Sequence, residues 1–580
     1  VYAQAMSQGQ LNTLADYYDH GAAAGNELPG LNLLPSESSQ DYASYSLYDD
    51  AGRLSYSFAA FNQLNQYGVT AYRYDDAGNL IETTQYATPF GIAGQATHIM
   101  NTMRARDVSI SSTDQDRTQL NFYDRDNRLV GHVDADGYVT GYRYDQAGRQ
   151  AEVIRYHARP LGVNAHSNWA AITANLAGSE DLHTYAYYDG QGHQVGSVDA
   201  EGYATRYTYD TNGRVVTTTR YAAKVSTDHL AVSDFEAICP AVKADQDQTT
   251  TTHYNDLGQI DYKINAEGTK TQYVYNDMGQ LVTTMTAAGT EDLRMETQRY
   301  DALGRVTASL SGEGSVALAM ATSPEEIKAV WSKYSTTTSY DAAGRRISTT
   351  DAAGNRSVMY YDAYGNLAYT INAEREVTAY TYELRTNKLE TKRVIAQRVG
   401  NMAGLLGGVM SSELLAQFAA LQNDTKDSFT SYAYNSGDGS VSAVTTRQEA
   451  GKQSTVFTTR SVFGETKSVT QDIDFQGHQS STLTKTNRRG LVEEVTADQF
   501  GVKQVTHYDY DAFGRLTEKR DANGKTTHYV YDKLGQVIEV RDPALAVNQD
   551  GSRTEYDAFG RVLTQKDSLG HSTTYVYNKT

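Results

Sequence analysis

Apolar and polar residues of this chain alternate with period two over short stretches, and runs rich in Asp and Gly separate the stretches. The clearest read Thr-x-Tyr-x-Tyr, at Thr205/Tyr207/Tyr209, Thr271/Tyr273/Tyr275, Thr378/Tyr380/Tyr382, Thr527/Tyr529/Tyr531 and Thr573/Tyr575/Tyr577. Side chains two apart on a strand share a face, so each pair of tyrosines points the same way. The intervening positions are mixed, with Arg143, Thr208, Val274, Thr381, Val530 and Val576. Stacking of neighbouring units is expected to set tyrosine on tyrosine in ladders, each cross-strand pair contributing roughly 0.2–1 kcal/mol.

The separating runs repeat. Tyr-Asp/Asn-x-x-Gly-Arg/Asn/Gln starts at Tyr48, Tyr74, Tyr144, Tyr209, Tyr254, Tyr275, Tyr300, Tyr340, Tyr361, Tyr510, Tyr531 and Tyr556, with weaker copies at Tyr123, where Asn127 stands for Gly, and at Tyr188, where His193 follows Gly192. Tyr123 to Tyr144, Tyr188 to Tyr209, Tyr254 to Tyr275, Tyr340 to Tyr361 and Tyr510 to Tyr531 are all steps of 21 residues. Between paired copies lies a second phrase, Asp134–Gly137, Asp199–Gly202, Asn265–Gly268, Asp351–Gly354, Asp521–Gly524 and Asp567–Gly570. Asp opening a type I turn bonds back to the backbone, and Gly at the fourth place takes positive φ as the chain re-enters a strand. Two such hairpin tips per repeat leave strands of about six residues, the spacing of an all-β repeat protein.

A longer period of 65 and then 66 residues sits on top, from Tyr123 to Tyr188 to Tyr254, and its insertions read differently. Ser323-Pro-Glu-Glu326 is a helix start with an N-cap, Pro at N1 and Glu at N3. The insertion Pro160–Asp181 contains Asn168-Trp-Ala-Ala-Ile, and Phe235–Val242 and Ser412–Gln422 are weaker helical candidates. The expected organisation is a partly helical segment over 1–40; repeat sheet over 41–400, with insertions at about 157–183, 222–250 and 311–334; a helical insertion over 401–424; degenerate repeats over 425–499; and repeat sheet over 500–580.

Composition sharpens this. Tyr numbers 45 against 13 Phe and 2 Trp, so the aromatic content keeps a polar tip, and an apolar share of 39% argues against a thick core. A net charge of −19 opposes nucleic acid as a partner. The single cysteine, Cys239, excludes internal disulfides and Cys-cluster metal sites and reads as a packed residue beside Pro240. The most apolar stretch, 402–421, is interrupted by Ser411, Ser412, Glu413 and Gln417, so no membrane span is expected in this segment. Val1 opens without the basic and apolar regions of an export signal, which implies either a removed signal or an excerpt from a longer product, the second being the expectation.

Candidate chemistry is outweighed by repetition. A catalytic carboxylate pair is singular, whereas these Asp residues recur at every turn. Asn548–Gly551 and Asn435–Gly439 resemble fragments of calcium loops but lack the acidic closing ligand. His157, His166, His183 and His193 are dispersed in insertions and turns and read as solvated. The repeat tyrosines could stack on sugar rings, but their periodicity favours packing.

The phrases Tyr144-Asp-Gln-Ala-Gly-Arg149, Tyr300-Asp-Ala-Leu-Gly-Arg305, Tyr510-Asp-Ala-Phe-Gly-Arg515 and Tyr556-Asp-Ala-Phe-Gly-Arg561 resemble the YD-repeat, or Rhs-repeat, family. The resemblance implies a spiralling antiparallel β-hairpin strip that forms a hollow shell, as in bacterial Rhs polymorphic toxins, the C component of insecticidal toxin complexes and teneurins. Spiralling pairs every strand except those at the ends, which removes the exposed edges of an open sheet. The implied role is non-catalytic: a shell segment of a large exported bacterial protein, secreted or at the cell surface, that encapsulates or delivers a toxic cargo polypeptide. The alternative is a repeat-built adhesin or filament former that binds partner cells or glycans. Expected partners are other regions of the same polypeptide or a cargo toxin, with self-assembly or cell-surface glycans as alternatives; no cofactor and no metal are expected. The family's D-P-x-G signature is missing, since Asp542-Pro543-Ala-Leu lacks the Gly, so self-cleavage does not transfer. The residues singled out are structural turns: Tyr144, Asp145, Gly148 and Arg149; Tyr209, Asp210, Gly213 and Arg214; Tyr300, Asp301, Gly304 and Arg305; Tyr510, Asp511, Gly514 and Arg515; Tyr556, Asp557, Gly560 and Arg561.

Overall fold

The computed structural model describes residues 44–62, 66–91, 108–113, 116–135, 137–225, 230, 234–383, 387–434, 441–449, 452–460, 466–471, 479–487, 489–498, 502–543, 551–557 and 559–577. The expected helical segment at 1–40 lies outside them. Among the described residues thirty-nine strands form one sheet, the first Tyr45–Tyr48 and the last Ser572–Thr574. Each pairs antiparallel with its neighbour in sequence, as in Tyr45–Tyr48 with Leu54–Asn62 and Val562–Lys566 with Ser572–Thr574. Two side strands of two residues, Phe90–Gly91 and Gly408–Val409, are the exceptions, and the second runs parallel to Arg356–Tyr361. The pairing continues across every insertion: Gln150–Arg155 joins Leu182–Tyr188, Val215–Lys224 joins Gln248–Tyr254, and Leu389–Ile395 joins Ser428–Tyr434. The protein is an all-β hairpin strip.

The strip is one layer thick. Between insertions, the strands Gln248–Tyr254, Ile260–Ile264, Lys270–Tyr275 and Leu281–Thr286 hold no buried residue. Its two edges differ. Hairpins closed by the tyrosine turn shift register at Arg143/Tyr144, Thr208/Tyr209, Arg299/Tyr300, Asp509/Tyr510 and Glu555/Tyr556. Hairpins closed by the second turn run straight through Val133↔Val139, Val198↔Ala204 and Ile264↔Lys270. A bulge bends a strand and raises its twist, so repeating it at the tyrosine turns along one edge gives the strip a consistent curl.

Local cores form where insertions fold back, always on the same face of the strip. The pairs Leu120↔Val133 and Phe122↔Gly131 place four residues on that face, and the helix Trp169–Leu176 covers them with Ile172 and Leu176. Trp169 stacks on Phe122 at 5.3 Å and fills the space over Gly131, where a Cβ would sit 2.4 Å from the indole. Phe235, in the short helix Phe235–Ile238, lies over Gly196 in the same way. Phe418 of the helix Ser412–Leu421 packs on Tyr360 and Tyr369, again one residue before the turn tyrosine and across from it.

The helix start at Ser323 is a capping box in which Ser323 and Glu326 exchange hydrogen bonds, and it opens the helix Pro324–Tyr334. A second helix, Gly312–Met320, was not expected, because its Gly-Glu-Gly-Ser opening has low intrinsic helix propensity and is held by packing on Leu310 and Tyr334. A further excursion, between Leu80–Gln85 and Arg117–Tyr123, was also missed, although Tyr86 follows Tyr74 by the same 12 residues that separate Tyr144 from Tyr156.

Gly148 takes φ +79, and Asn127 holds +59 at the matching place of its own turn. A β-branched residue cannot rest there without strain, while Asn is tolerated. Gly148→Val is therefore expected to cost about 1–2 kcal/mol and Gly148→Asn clearly less, measured by thermal melts; equal losses would refute the assignment.

Candidate functional site: the turn edge and the seam

Each tyrosine turn is a latch. In Tyr144–Arg149 the Gly148 amide donates to the Asp145 carbonyl at 3.0 Å and the Asp145 amide to the Arg149 carbonyl at 2.9 Å. Asp145 Oδ1 accepts the amides of Ala147 and Arg149, both at 2.9 Å, and its Oδ2 accepts Arg149 Nε at 2.7 Å. The same carboxylate–guanidinium contact spans 2.6–2.7 Å in Asp210/Arg214, Asp301/Arg305, Asp511/Arg515 and Asp557/Arg561. Gly213, Gly304, Gly514 and Gly560 take φ between +76 and +79.

Tyr and Arg act outside their own turn. The hydroxyl of Tyr144 donates to the Leu129 carbonyl at 2.7 Å, Tyr209 to Gln194 at 2.7 Å, Tyr300 to Leu281 at 2.6 Å, Tyr510 to Val492 at 2.6 Å and Tyr556 to Val537 at 2.9 Å. Each acceptor opens the strand that follows the preceding turn. The guanidinium reaches forward: Arg149 lies over the Tyr188 ring at 4.7 Å, Arg214 over Tyr254 at 4.6 Å, Arg305 over Tyr340 at 4.8 Å, Arg515 over Tyr531 at 5.0 Å and Arg561 over Tyr577 at 4.4 Å. Arg149 also donates to the Asp189 carbonyl at 2.7 Å and Arg305 to that of Asp341 at 3.2 Å. Along this edge phenol and guanidinium alternate, where the sequence suggested tyrosine on tyrosine. A cation over an aromatic face contributes about 0.5–1 kcal/mol at an exposed site, and repetition makes the sum large.

Departures from the motif are matched in pairs. Asn255 and Asn276 face Gln259 and Gln280, a neutral version of the Asp–Arg latch. His193 fills the Arg place, its Nδ1 donating to Asp189 Oδ2 at 3.0 Å and its ring stacking on Tyr209 at 4.7 Å, so it is a turn residue and not a solvated side chain. Where Asn79 and Asn366 replace Arg, Asn127 and Asn387 replace the Gly of the next turn, and the amides join across the gap.

A second set of carboxylates closes the insertions and escaped the sequence reading. Asp181, Asp247 and Asp427 are buried just before the returning strand, at 3%, 4% and 0% exposure. Oδ1 of each accepts the amide at the insertion's start: His157 at 2.9 Å, Ala222 at 2.9 Å and Ala396 at 2.9 Å. Oδ2 accepts an amide near its end, from Gly178, Lys243 and Asn423. Asp116 makes the same clasp to Ala87 at 2.8 Å. Asp116, Asp181 and Asp247 stand 65 and 66 residues apart, the long period itself, which is the signal that could have found them.

The strip returns on itself. The tyrosine-turn edge of its later part meets the opposite edge of its earlier part: Arg489 pairs with Asp199 at 3.2 Å, and Lys533 donates through its amide to Glu267 and through Nζ to the Ala244 carbonyl, across 266 and 289 residues. Phe513 lies under Arg220 at 5.3 Å and Phe559 under Arg294 at 4.5 Å. These two phenylalanines hold the third place of their turns, where three other copies carry Leu257, Met278 and Leu303, all largely exposed. Arg489 belongs to the relic turn Asn487–Gly490, which keeps the Asn cap and a Gly at φ +77.

Among the described residues no group of three or more His, Cys, Asp or Glu side chains is arranged to hold a metal ion, and no helix is long and apolar enough to cross a membrane. The phrases resembling calcium loops, 435–439 and 548–550, lie outside the described residues. Cys239 packs against the cluster of Val198, Tyr221 and Phe235, where burial pushes its thiol up.

The RHS Repeat family model matches residues 123–156, 188–225 and 504–545, three stretches of this strip of latched tyrosine turns. The chain carries RHS repeats in those stretches. No curated protein matches. Among solved structures, the chain is similar to TcdB2-TccC3-TEV, at 13% identity and TM-score 0.44 over 93% of this chain and 31% of that one. It is also similar to a Photorhabdus luminescens Tc holotoxin pore, at 13% identity and TM-score 0.43 over 90% and 29%, and to TcdB2-TccC3, at 15% and 0.42 over 92% and 31%. The chain spans about a third of the length of those chains.

The Arg214 amide and guanidinium hold the Asp210 carboxyl below its ordinary value of 3.8. For Asp145 burial pushes upward, but the amide and guanidinium of Arg149 outweigh it and the net shift is downward. A carboxyl depressed by folding contributes stability above its unfolded pKa and loses it as pH falls through the folded value. Melting temperature is therefore expected to hold from about pH 7 to 5 and to drop below about pH 4. The pair Asp210→Asn with Arg214→Gln, which copies Asn255 and Gln259, should soften that drop; an acid profile that is flat, or unchanged in the pair, would count against the latch. Asp247→Ala leaves the amides of Ala222 and Lys243 unpaired and should cost about 2–3 kcal/mol, with new protease cleavage confined to 222–247. An intact digestion pattern would show that the clasp does not hold the insertion.

Proposed function

We propose that this chain is a non-catalytic wall segment of a hollow shell, part of a large exported bacterial Rhs-type protein that encloses a toxic cargo polypeptide. One observation carries the reading: a single-layer strip, with no thick core of its own, winds until its two edges seal at Arg489–Asp199, Phe513–Arg220 and Phe559–Arg294. A sheet one layer thick that closes edge to edge bounds a volume and leaves no long unpaired edge. The RHS repeats at 123–156, 188–225 and 504–545 support the assignment, and the turn-opening carboxylates of Asp145, Asp210 and Asp301 are engaged in latches, which favours a structural over a catalytic use.

The test uses the complete gene product. A cargo fragment should co-purify and resist protease in the wild type, and become digestible when Phe513→Ala, Phe559→Ala and Arg489→Ala together open the seam. No retained fragment, or a fragment digested equally fast in both, would overturn the enclosing role.

A further inference from the structure

At two places along the tyrosine-turn edge Asn replaces the forward-reaching Arg, and at one of them a cavity remains. Asn366 closes the turn Tyr361–Asn366 and Asn387 takes the Gly place of the next, so two amides bond to each other where Arg149, Arg214 or Arg515 crosses from one turn to the next tyrosine. Asp362 still caps its turn, its Oδ1 accepting the amides of Tyr364 at 2.9 Å and Asn366 at 2.8 Å. Its Oδ2, however, receives the Asn366 side-chain amide at 3.3 Å in place of a guanidinium at 2.6–2.7 Å. No cation lies over the Tyr382 ring among the described residues; Lys388, the next along the edge, covers Tyr434 at 4.9 Å. A cavity of about 220 Å³ occupies this gap, lined in part by Asp362, Tyr364, Asn366, Tyr382, Glu383 and Asn387.

The chain itself shows what such a gap takes. In the other copies a carboxylate of one turn and the tyrosine ring of the next hold a guanidinium between them, as Asp511 and Tyr531 hold Arg515. The third place of the turn adds a second wall. The tyrosine turns with an aromatic residue there carry Tyr364, Phe513 and Phe559, and in the seam the two phenylalanines each lie against an arginine from elsewhere in the chain, Arg220 at 5.3 Å and Arg294 at 4.5 Å. Tyr364 is 44% exposed beside Asp362. Burial and then the Asp362 charge push the Tyr382 hydroxyl up, whereas at Tyr361 the charges of Arg346 and Arg345 oppose such a rise. A carboxylate and two aromatic walls around one cavity fit a planar cation that both pairs with the carboxylate and stacks on a ring, which is a guanidinium and not a compact ammonium. The matched copy at Asp75, Asn79 and Asn127 has Ala77 at the third place and lacks the second wall.

We propose that the cavity between Asp362 and Tyr382 is a receptor for an arginine side chain brought by a polypeptide laid along this edge. The inference does not depend on an enclosed cargo. Titration of the chain with N-acetyl-arginine amide, followed by ligand-observed NMR, is expected to saturate, with the neutral analogue N-acetyl-citrulline amide bound about tenfold more weakly. Asp362→Asn with Glu383→Gln should weaken arginine binding about tenfold, the Asn cap being one the chain already uses at Asn255. Tyr364→Ala should weaken it about threefold. Asn366→Arg with Asn387→Gly restores the guanidinium and glycine of the other copies and should abolish binding, with a melting temperature no lower than that of the wild type. No saturation, equal affinity for the citrulline analogue, or binding that survives Asn366→Arg with Asn387→Gly would overturn the proposal. Binding that appears only after Arg385→Ala would overturn it too, since the cavity would then belong to an arginine of its own turn. In the complete gene product, retained affinity marks a separate polypeptide as the source of the arginine and lost affinity marks a neighbouring winding of the strip; either result keeps the site.

Discussion

Between its insertions the sheet holds no buried residue, as over Gln248–Tyr254 to Leu281–Thr286, and there it is held at its edge. The turn carboxylate binds its own guanidinium, the guanidinium covers the next tyrosine, and that tyrosine's hydroxyl returns to the strand after the previous turn. Each hairpin is thus tied to both neighbours by charge-assisted and aromatic contacts that need no core. Individually these contacts are worth little, but they are identical and consecutive, as in other repeat architectures whose stability is a sum over neighbours. Matched departures such as Asn255 with Gln259 and Asn366 with Asn387 show that the contact is kept when the residues change.

Because the tyrosine hydroxyls and guanidiniums that tie one turn to the next stand along one edge, the two edges of the strip are chemically different. That asymmetry has two consequences: the strip curls in one sense, and the seam joins unlike edges. The seam then reuses the turn itself. The third place, largely exposed at Leu257, Met278 and Leu303, is taken by Phe513 and Phe559, and guanidiniums from the earlier winding cover them. A proposed wall function needs little more than this, since the enclosing surface and the seal are made from the same repeated unit.

The insertions add local thickness on one face without interrupting the strip. Their anchoring follows one scheme, with a large aromatic side chain seated on a small residue of the sheet, as Trp169 on Gly131 and Phe235 on Gly196, and a buried carboxylate holding both ends. Insertion length can then vary while the strands on either side remain paired, because the clasp fixes entry and exit at adjacent points.

Much of the fold was legible because its determinants are local. Asp and Gly at fixed places specify a hairpin tip through bonds within six residues, and period-two alternation specifies the strands between, so the repeat phrase and its 21-residue step read directly as an antiparallel strip. The Ser323 capping box was legible for the same reason. The roles of Tyr and Arg were not, because their partners lie 15 to 40 residues away, in the turns on either side. The clasping aspartates left a trace in the long period, but an isolated Asp at the end of a variable insertion has no local signature. The seam was beyond reach of any pattern: which turn meets which across 266–289 residues depends on the accumulated curl of the whole strip, a property no short stretch encodes.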